Sequence, residues 1–161
     1  MKSYILWDHD GVLVDTEPLY FEATRLHIAK LGVHLELPDY LADMARGRAS
    51  WERARELGAT DAQISAHREA RNIDYQRYLR ERDIEIPGVL EVLESLGRQF
   101  AMAIVTTAKR DDFELIHKDR EIVRHMDFIL ASGDYPRAKP EPDPYLAALD
   151  RFNAQPHEAI V

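Results

Sequence analysis

The chain has 161 residues, of which 45% are hydrophobic and 31% charged, a composition typical of a globular protein with one modest core. The net charge of -8 argues against a nucleic-acid partner, and the absence of cysteine excludes disulfides, thiolate catalysis and cysteine–zinc sites. No apolar run approaches the roughly 20 residues of a membrane-spanning helix, so we expect no membrane partner. Because the first strand begins so close to the N-terminus, we expect no signal peptide and a cytoplasmic protein.

The first predicted element is a short apolar strand over residues 4–7, followed directly by Asp8, His9, Asp10 and a glycine. Side chains two residues apart on an extended chain point the same way, and His9 between the acids should therefore point away from them. Ligands of open parallel sheets bind at the carboxyl ends of strands. The segment predicts a pair of carboxylates at such an end, with an Asx turn of two solvated acids as the alternative.

A long helical region follows. Apolar spacing predicts a helix from Glu17 to Leu31 that stops at a glycine, and another over residues 50–57. Residues 60–63 form a capping box that opens a long helix ending near Arg80. The thinly apolar face of this helix would consist of Ile64, Ile73, Tyr78 and Leu79. Earlier in the region, Pro38 predicts a loop.

The remaining elements alternate between helix and strand. Helices are predicted over residues 89–96, 111–124 and 143–152, and strands over residues 101–105 and 127–131. The run Ala101–Val105 is continuously apolar, as expected of a strand covered on both faces. Alternation of this kind predicts a parallel sheet between two layers of helices.

Three segments, in this order, resemble the motifs of the haloacid dehalogenase-like (HAD) hydrolases, in their phosphatase and beta-phosphoglucomutase-like branch. Residues 8–17 are similar to the first motif, the strand ending in Thr106 to the second, and Lys139 before a proline-rich helix start to the third. The resemblance implies an α/β fold: a three-layer parallel sheet (a Rossmann-like core) with an inserted all-helical cap. We place the core at residues 1–16 and 86–161 and the cap at 17–85. The cap would close over the site and select the substrate.

The resemblance also implies an activity: Mg²⁺-dependent hydrolysis of a small phosphorylated metabolite through an aspartyl-phosphate intermediate. Asp8 would be the nucleophile, and Asp10 would protonate the leaving oxygen and later deprotonate the attacking water. Both residues would hold Mg²⁺, Asp8 through its carboxylate and Asp10 through its backbone carbonyl. A hard cation of this kind offsets the repulsion between two carboxylates and an anionic phosphate.

The second and third motifs imply the phosphate contacts. Thr106 would hydrogen-bond the transferring phosphoryl group, helped by the turn that begins at Thr107. Lys139 would pair with Asp8 and with the phosphoryl oxygens. Lys109 is either a second phosphate-binding cation or a surface lysine. All seven histidines, His9 included, are interpreted as having no role in catalysis or metal binding, since none has metal-ligand spacing.

Other reactions of the family and other classes of protein are alternatives to a phosphatase. Mutases of the family tend to carry a histidine near Tyr20 and an arginine soon after a cap glycine, and Tyr20 and residues 47–50 depart from that pattern, which favours a phosphatase. A sugar-phosphate mutase remains an alternative. Asp10 disfavours a dehalogenase, which lacks the second acid. A receiver domain fits poorly because it has no helical insertion.

The fourth family motif, an apolar strand that runs into a pair of acids, matches only at its opening, over residues 158–161. In the family pattern this strand lies beside the first strand and brings the remaining acids to the metal. We therefore expect a longer natural protein with a Glu/Asp pair after Val161. A catalytically impaired binding protein on the same scaffold is the alternative.

Overall fold

The computed structural model describes residues 3–161. The chain divides into two compact units. An α/β unit consists of residues 3–15 and Asp83–Val161, and a helical unit consists of Thr16–Arg82. The expected boundaries were 16/17 and 85/86, one and three residues further along the chain.

The α/β unit contains a four-stranded sheet in the order β3-β2-β1-β4. Its strands are β1 (Tyr4–Trp7), β2 (Ala101–Val105), β3 (Phe128–Leu130) and β4 (Ala159–Ile160), and every neighbouring pair is parallel. Residues 102–105 of β2 are buried, as a central strand requires. Tyr4 is paired with Ala101 on one side and with Ala159 on the other, so β4 does lie beside β1. The predicted parallel α/β fold is confirmed.

Three helices accompany the sheet: α5 (Val89–Leu96), α6 (Arg110–His117) and α7 (Asp143–Phe152). The prediction of one helix from 111 to 124 is wrong, because α6 ends at His117 and a 3₁₀ turn follows at Ile122–His125. The Arg120 amide bonds the His117 carbonyl three residues back, and the Arg120 side chain bonds the Ile116 carbonyl. The carbonyl that would have continued the helix is therefore occupied.

The apolar residues of the sheet and of α7 form one core. Alternate β2 residues, Ala103 and Val105, face Leu149 and the β3 residues Phe128 and Leu130. The other buried members of this cluster are Leu6, Ala148, Ala154 and Ala159. Packing of this kind fixes the positions of the strand ends.

The helical unit contains α1 (Glu17–Ile28), α2 (Leu37–Ala45), α3 (Trp51–Glu56) and α4 (Asp61–Glu81). The loop predicted at Pro38 is wrong, because Pro38 occupies the first turn of α2, where its missing N–H is not needed. A 3₁₀ turn over Ala29–Leu31 separates α1 from Gly32, whose φ of 82° ends the segment. Within residues 3–161, no helix is both long and apolar enough to cross a membrane.

Helix α4 buries most of the predicted face, together with two residues that were not predicted. Ile64, Tyr78 and Leu79 are buried as expected, but Ile73 is 70% exposed. Arg71 and Tyr75 are buried instead. Positions 64, 71, 75 and 78 follow helical spacing, and the polar Arg71 concealed this stripe in the sequence.

We predict that Thr60→Ala lowers the free energy of unfolding by about 1 kcal/mol, because it removes the N-cap of α4. The Thr60 hydroxyl accepts the Gln63 N–H at 3.3 Å, and the Gln63 side chain accepts the Thr60 N–H at 2.9 Å. Urea unfolding followed by circular dichroism measures the loss, with Thr60→Ser as the matched control. Equal stability of the Ala and Ser variants would contradict the cap.

Candidate active site

Polar side chains gather at the carboxyl ends of β1 and β2. Trp7 is paired with Ile104, so the residues just beyond each strand emerge at the same edge of the sheet. A tight turn follows β1: the Leu13 amide bonds the His9 carbonyl at 2.9 Å, and the Gly11 amide bonds the Val14 carbonyl at 2.8 Å. Gly11 has a φ of 75°, a backbone conformation that favours glycine. The glycine after the two acids therefore permits the turn that presents them.

Asp8 is paired with Lys139 from the far end of the chain. Lys139 Nζ lies 2.8 Å from Asp8 Oδ1, and the same oxygen accepts the His9 N–H at 2.8 Å. The Asp8 side chain is 51% exposed and that of Lys139 only 19%. The ammonium group also lies 5.2 Å from the centre of the Tyr145 ring. Asp8 thus presents an accessible carboxylate with one oxygen held by two donors.

The segment that carries Lys139 is fastened to the start of α7. The Arg137 guanidinium makes two hydrogen bonds to Asp143, of 3.0 and 2.8 Å. This guanidinium holds the pKa of Asp143 below its usual range. A two-pronged contact of this kind fixes direction as well as distance, so it restrains the loop from which Lys139 reaches Asp8.

Thr106 is the buried residue that follows β2. Its hydroxyl donates to Asp10 Oδ2 at 3.3 Å and accepts the Ala108 N–H at 3.0 Å. Its amide bonds the Leu130 carbonyl at 2.9 Å, and its carbonyl accepts the Tyr135 hydroxyl at 2.7 Å. The structure therefore brings together Asp8, Asp10, Thr106 and Lys139.

Thr107 and Lys109 follow Thr106 closely in the chain. Both are exposed, and Lys109 is the N-cap residue of α6. Their assignment to phosphate binding stays a prediction.

Sequence reasoning missed the place of His9. This ring is fully buried, and its Nδ1 lies 3.2 Å from Asp10 Oδ2, so the expectation that it points away from both acids is wrong. The chain leaves the extended conformation after Trp7, and strict alternation no longer applies. On its other side, His9 Nε2 lies 2.8 Å from His117 Nε2 of α6. No sequence signal links two histidines 108 positions apart.

The oxygen atoms at the end of β1 are the candidate metal ligands. Within the described residues, no three His, Asp or Glu side chains form a group that could hold a metal by themselves. Mg²⁺ is typically held by one or two carboxylates, with water and substrate oxygens as the other ligands. The accessible carboxylate of Asp8, with Asp10 beside it in sequence, fits that pattern.

We predict that Tyr135→Phe lowers the free energy of unfolding by about 1–3 kcal/mol, because the buried Thr106 carbonyl loses its hydroxyl donor. Burial, and then the neighbouring Asp134, raises the pKa of Tyr135, so the hydroxyl keeps its proton at neutral pH. Thermal unfolding measures the change. Tyr4→Phe, a tyrosine whose ring packs on Phe152, is the control. If Tyr135→Phe were as stable as this control, the contact would contribute nothing.

Comparison with known proteins agrees with this geometry. The sequence profile of the haloacid dehalogenase-like hydrolases matches residues 5–161. A phosphorylated carbohydrates phosphatase of Thermotoga maritima is 30% identical, over 98% of this chain and 74% of its own length. A phosphoglycolate phosphatase of Nitrosospira multiformis is 27% identical, over 98% and 72%. The structure of a putative beta-phosphoglucomutase from Thermotoga maritima superposes with a TM-score of 0.69 at 28% identity, over 100% of this chain and 75% of that one. The chain therefore belongs to the haloacid dehalogenase-like hydrolase family.

Proposed function

We propose that this protein is a phosphatase that hydrolyses small phosphomonoesters, with Mg²⁺ as cofactor and an aspartyl-phosphate on Asp8 as intermediate. The contact that carries the proposal is the 2.8 Å ion pair between Asp8 and Lys139. A nucleophilic carboxylate needs a cation beside it if it is to meet an anionic phosphate, and Lys139 supplies one. The names of the two phosphatase relatives support the same reaction class.

In the first step, Asp8 attacks the phosphorus atom, the bond to the leaving oxygen breaks, and that oxygen takes a proton from Asp10. The Lys139 ammonium and the His9 amide both hold Oδ1 of Asp8. We assign Oδ2 as the attacking oxygen. In the second step, Asp10 takes a proton from water, which displaces phosphate from Asp8 and restores the carboxylate.

Mg²⁺ would be held by the Asp8 carboxylate and the backbone carbonyl of Asp10. When bound, it neutralises the charge that a phosphate brings to two carboxylates. Thr106 would orient the phosphoryl group; in this structure its hydroxyl donates to Asp10. We further propose that the helical unit acts as the cap and selects among substrates, for which phosphorylated sugars and phosphoglycolate are the first candidates.

A sugar-phosphate mutase is the second candidate, favoured by the structural neighbour described as a putative beta-phosphoglucomutase. Against it, Tyr20 packs within the helical unit, where the Arg71 guanidinium lies 4.2 Å from the centre of its ring. Arg48 is engaged by Glu52 and Glu56 at 3.2 and 2.6 Å. Phosphorus NMR of a sugar phosphate separates the two reactions, since a mutase isomerises it and a phosphatase releases inorganic phosphate.

We predict that Asp8→Asn lowers turnover by about 10⁴-fold or more, the scale on which loss of a catalytic nucleophile acts. Phosphate release from p-nitrophenyl phosphate, phosphoglycolate and sugar phosphates with Mg²⁺ measures it, and chelation by EDTA should abolish the wild-type rate. Asp111→Asn, at an exposed acid in the first turn of α6, is the matched control. Full activity of Asp8→Asn, freed of deamidation, would overturn the mechanism. Absence of wild-type turnover would favour a binding protein.

We predict that Asp10→Ala lowers kcat by about 10²–10⁴-fold, the usual contribution of a general acid and base. KM should change much less, since the backbone carbonyl proposed to bind the metal is retained. Steady-state kinetics on the substrate with the highest rate separates the two constants. Equal losses in kcat and in substrate affinity would show that Asp10 acts mainly through its charge.

A further inference from the structure

A buried group of three rings lies directly behind Asp10. His9 Nε2 and His117 Nε2 are 2.8 Å apart, and the Phe113 ring packs against both, with centroid distances of 5.0 and 4.4 Å. His9 Nδ1 lies 3.2 Å from Asp10 Oδ2. The contacts therefore connect His117 on α6, through His9 in the turn after β1, to the Asp10 carboxylate.

The hydrogen bond between the two imidazoles needs one proton donor and one bare nitrogen. Burial is the largest cause that lowers the pKa of His117 to about 3, and the neighbouring His9 and Arg120 side chains lower it further. His117 is therefore neutral at working pH and carries its single proton on either Nε2 or Nδ1. The position of that proton decides which group donates and which accepts in the hydrogen bonds between His117, His9 and Asp10.

His117 Nδ1 decides between the two arrangements. This atom is buried and has no hydrogen-bond partner among residues 3–161. If His9 donated to His117, the His117 proton would sit on Nδ1 as a buried donor without an acceptor, whether His9 were neutral or charged. Orphaned buried N–H groups are rarer than orphaned acceptors. The proton therefore belongs on His117 Nε2, which donates to His9, and His9 then donates from Nδ1 to Asp10.

We propose that His9 is a positioning residue for Asp10, and that His117 fixes the tautomer in which His9 donates to it. The proposal rests on the function assigned to Asp10 above. Asp10 Oδ2 receives one hydrogen bond from the His9 ring and a second, of 3.3 Å, from the Thr106 hydroxyl at the end of β2. Two donors from different elements restrict rotation of the carboxyl group, so it meets the leaving oxygen in one orientation.

Replacing His9 by Asn or by Gln tests its two ring nitrogens individually, because each amide takes the place of only one of them. Asn places its amide where Nδ1 stood and keeps the donor to Asp10, whereas Gln reaches the place of Nε2 and contacts only His117. We expect His9→Gln to lower kcat by about 10- to 100-fold, the range for residues that orient a ligand or catalytic group. KM should change less than about twofold, and His9→Asn should retain kcat within a few-fold. A merely structural role would put the two variants in the opposite order or make them equal, which would overturn the proposal.

A second pair of variants tests His117 in the same way. His117→Gln keeps an N–H directed at His9 and should retain most of kcat, whereas His117→Phe removes it and should lower kcat by about tenfold with KM unchanged. His34→Asn, at a side chain that is 89% exposed, is the matched control and should behave as wild type. Equal kcat for the Gln and Phe variants would contradict the role of His117.

Nitrogen-15 NMR of the wild-type imidazoles tests the tautomers without any turnover assay. We expect the Nε2–H form of His117 and the Nδ1–H form of His9. The Nδ1–H form of His117 would overturn the proposed direction even if every variant folded poorly. If the wild type hydrolyses no phosphomonoester but shows the expected tautomers, the proposed function is wrong, whereas the proposed hydrogen bonds from His117 to His9 and from His9 to Asp10 are supported.

Discussion

The ion pair between Asp8 and Lys139 is the interaction on which the candidate site depends. It joins residues 131 positions apart, and the sheet makes their meeting possible. The parallel pairing of β1 with β2 and the docking of α7 on the core bring the end of β1 and the start of α7 together. The Lys139 side chain is only 19% exposed, but that of Asp8 is 51% exposed, so the pair is only partly shielded from solvent and salt. The core packing and the site are thus parts of one arrangement.

Around Asp10, the structure satisfies polar groups inside a mostly apolar environment. Thr106 is completely buried, yet its hydroxyl, amide and carbonyl all have partners. His9 is equally buried and makes contacts through both ring nitrogens. Networks satisfied to this degree are rigid, because a lost partner exposes a buried polar group to its full desolvation cost. Rigidity of this kind would suit both proton transfers proposed for Asp10, the one to the leaving oxygen and the one from water.

The helical unit also stabilises charge inside its own core. Asp43 is fully buried and accepts two hydrogen bonds from Arg53, of 2.7 and 3.0 Å, and the Arg53 guanidinium holds the pKa of Asp43 below its usual range. Arg71 is buried over the Tyr20 ring and bonds the Thr24 hydroxyl. Arg71 explains why the apolar pattern of α4 is thin in the sequence, since this charged residue is part of the buried stripe of the helix.

The sequence by itself determined the elements whose causes are local. The apolar run of β2 and the capping box at Thr60 follow from the spacing of neighbouring residues, and the structure has both. The family resemblance supplied the ordered set Asp8, Asp10, Thr106 and Lys139. Only the tertiary structure decided the rest, because it depends on contacts between distant segments. Pro38 begins a helix, and Arg71 lies on the buried face of α4. The His9 ring contacts Asp10 through one nitrogen and His117, 108 residues away, through the other. A pattern of neighbours cannot encode such a pairing; the packing of α6 against the β1 turn creates it.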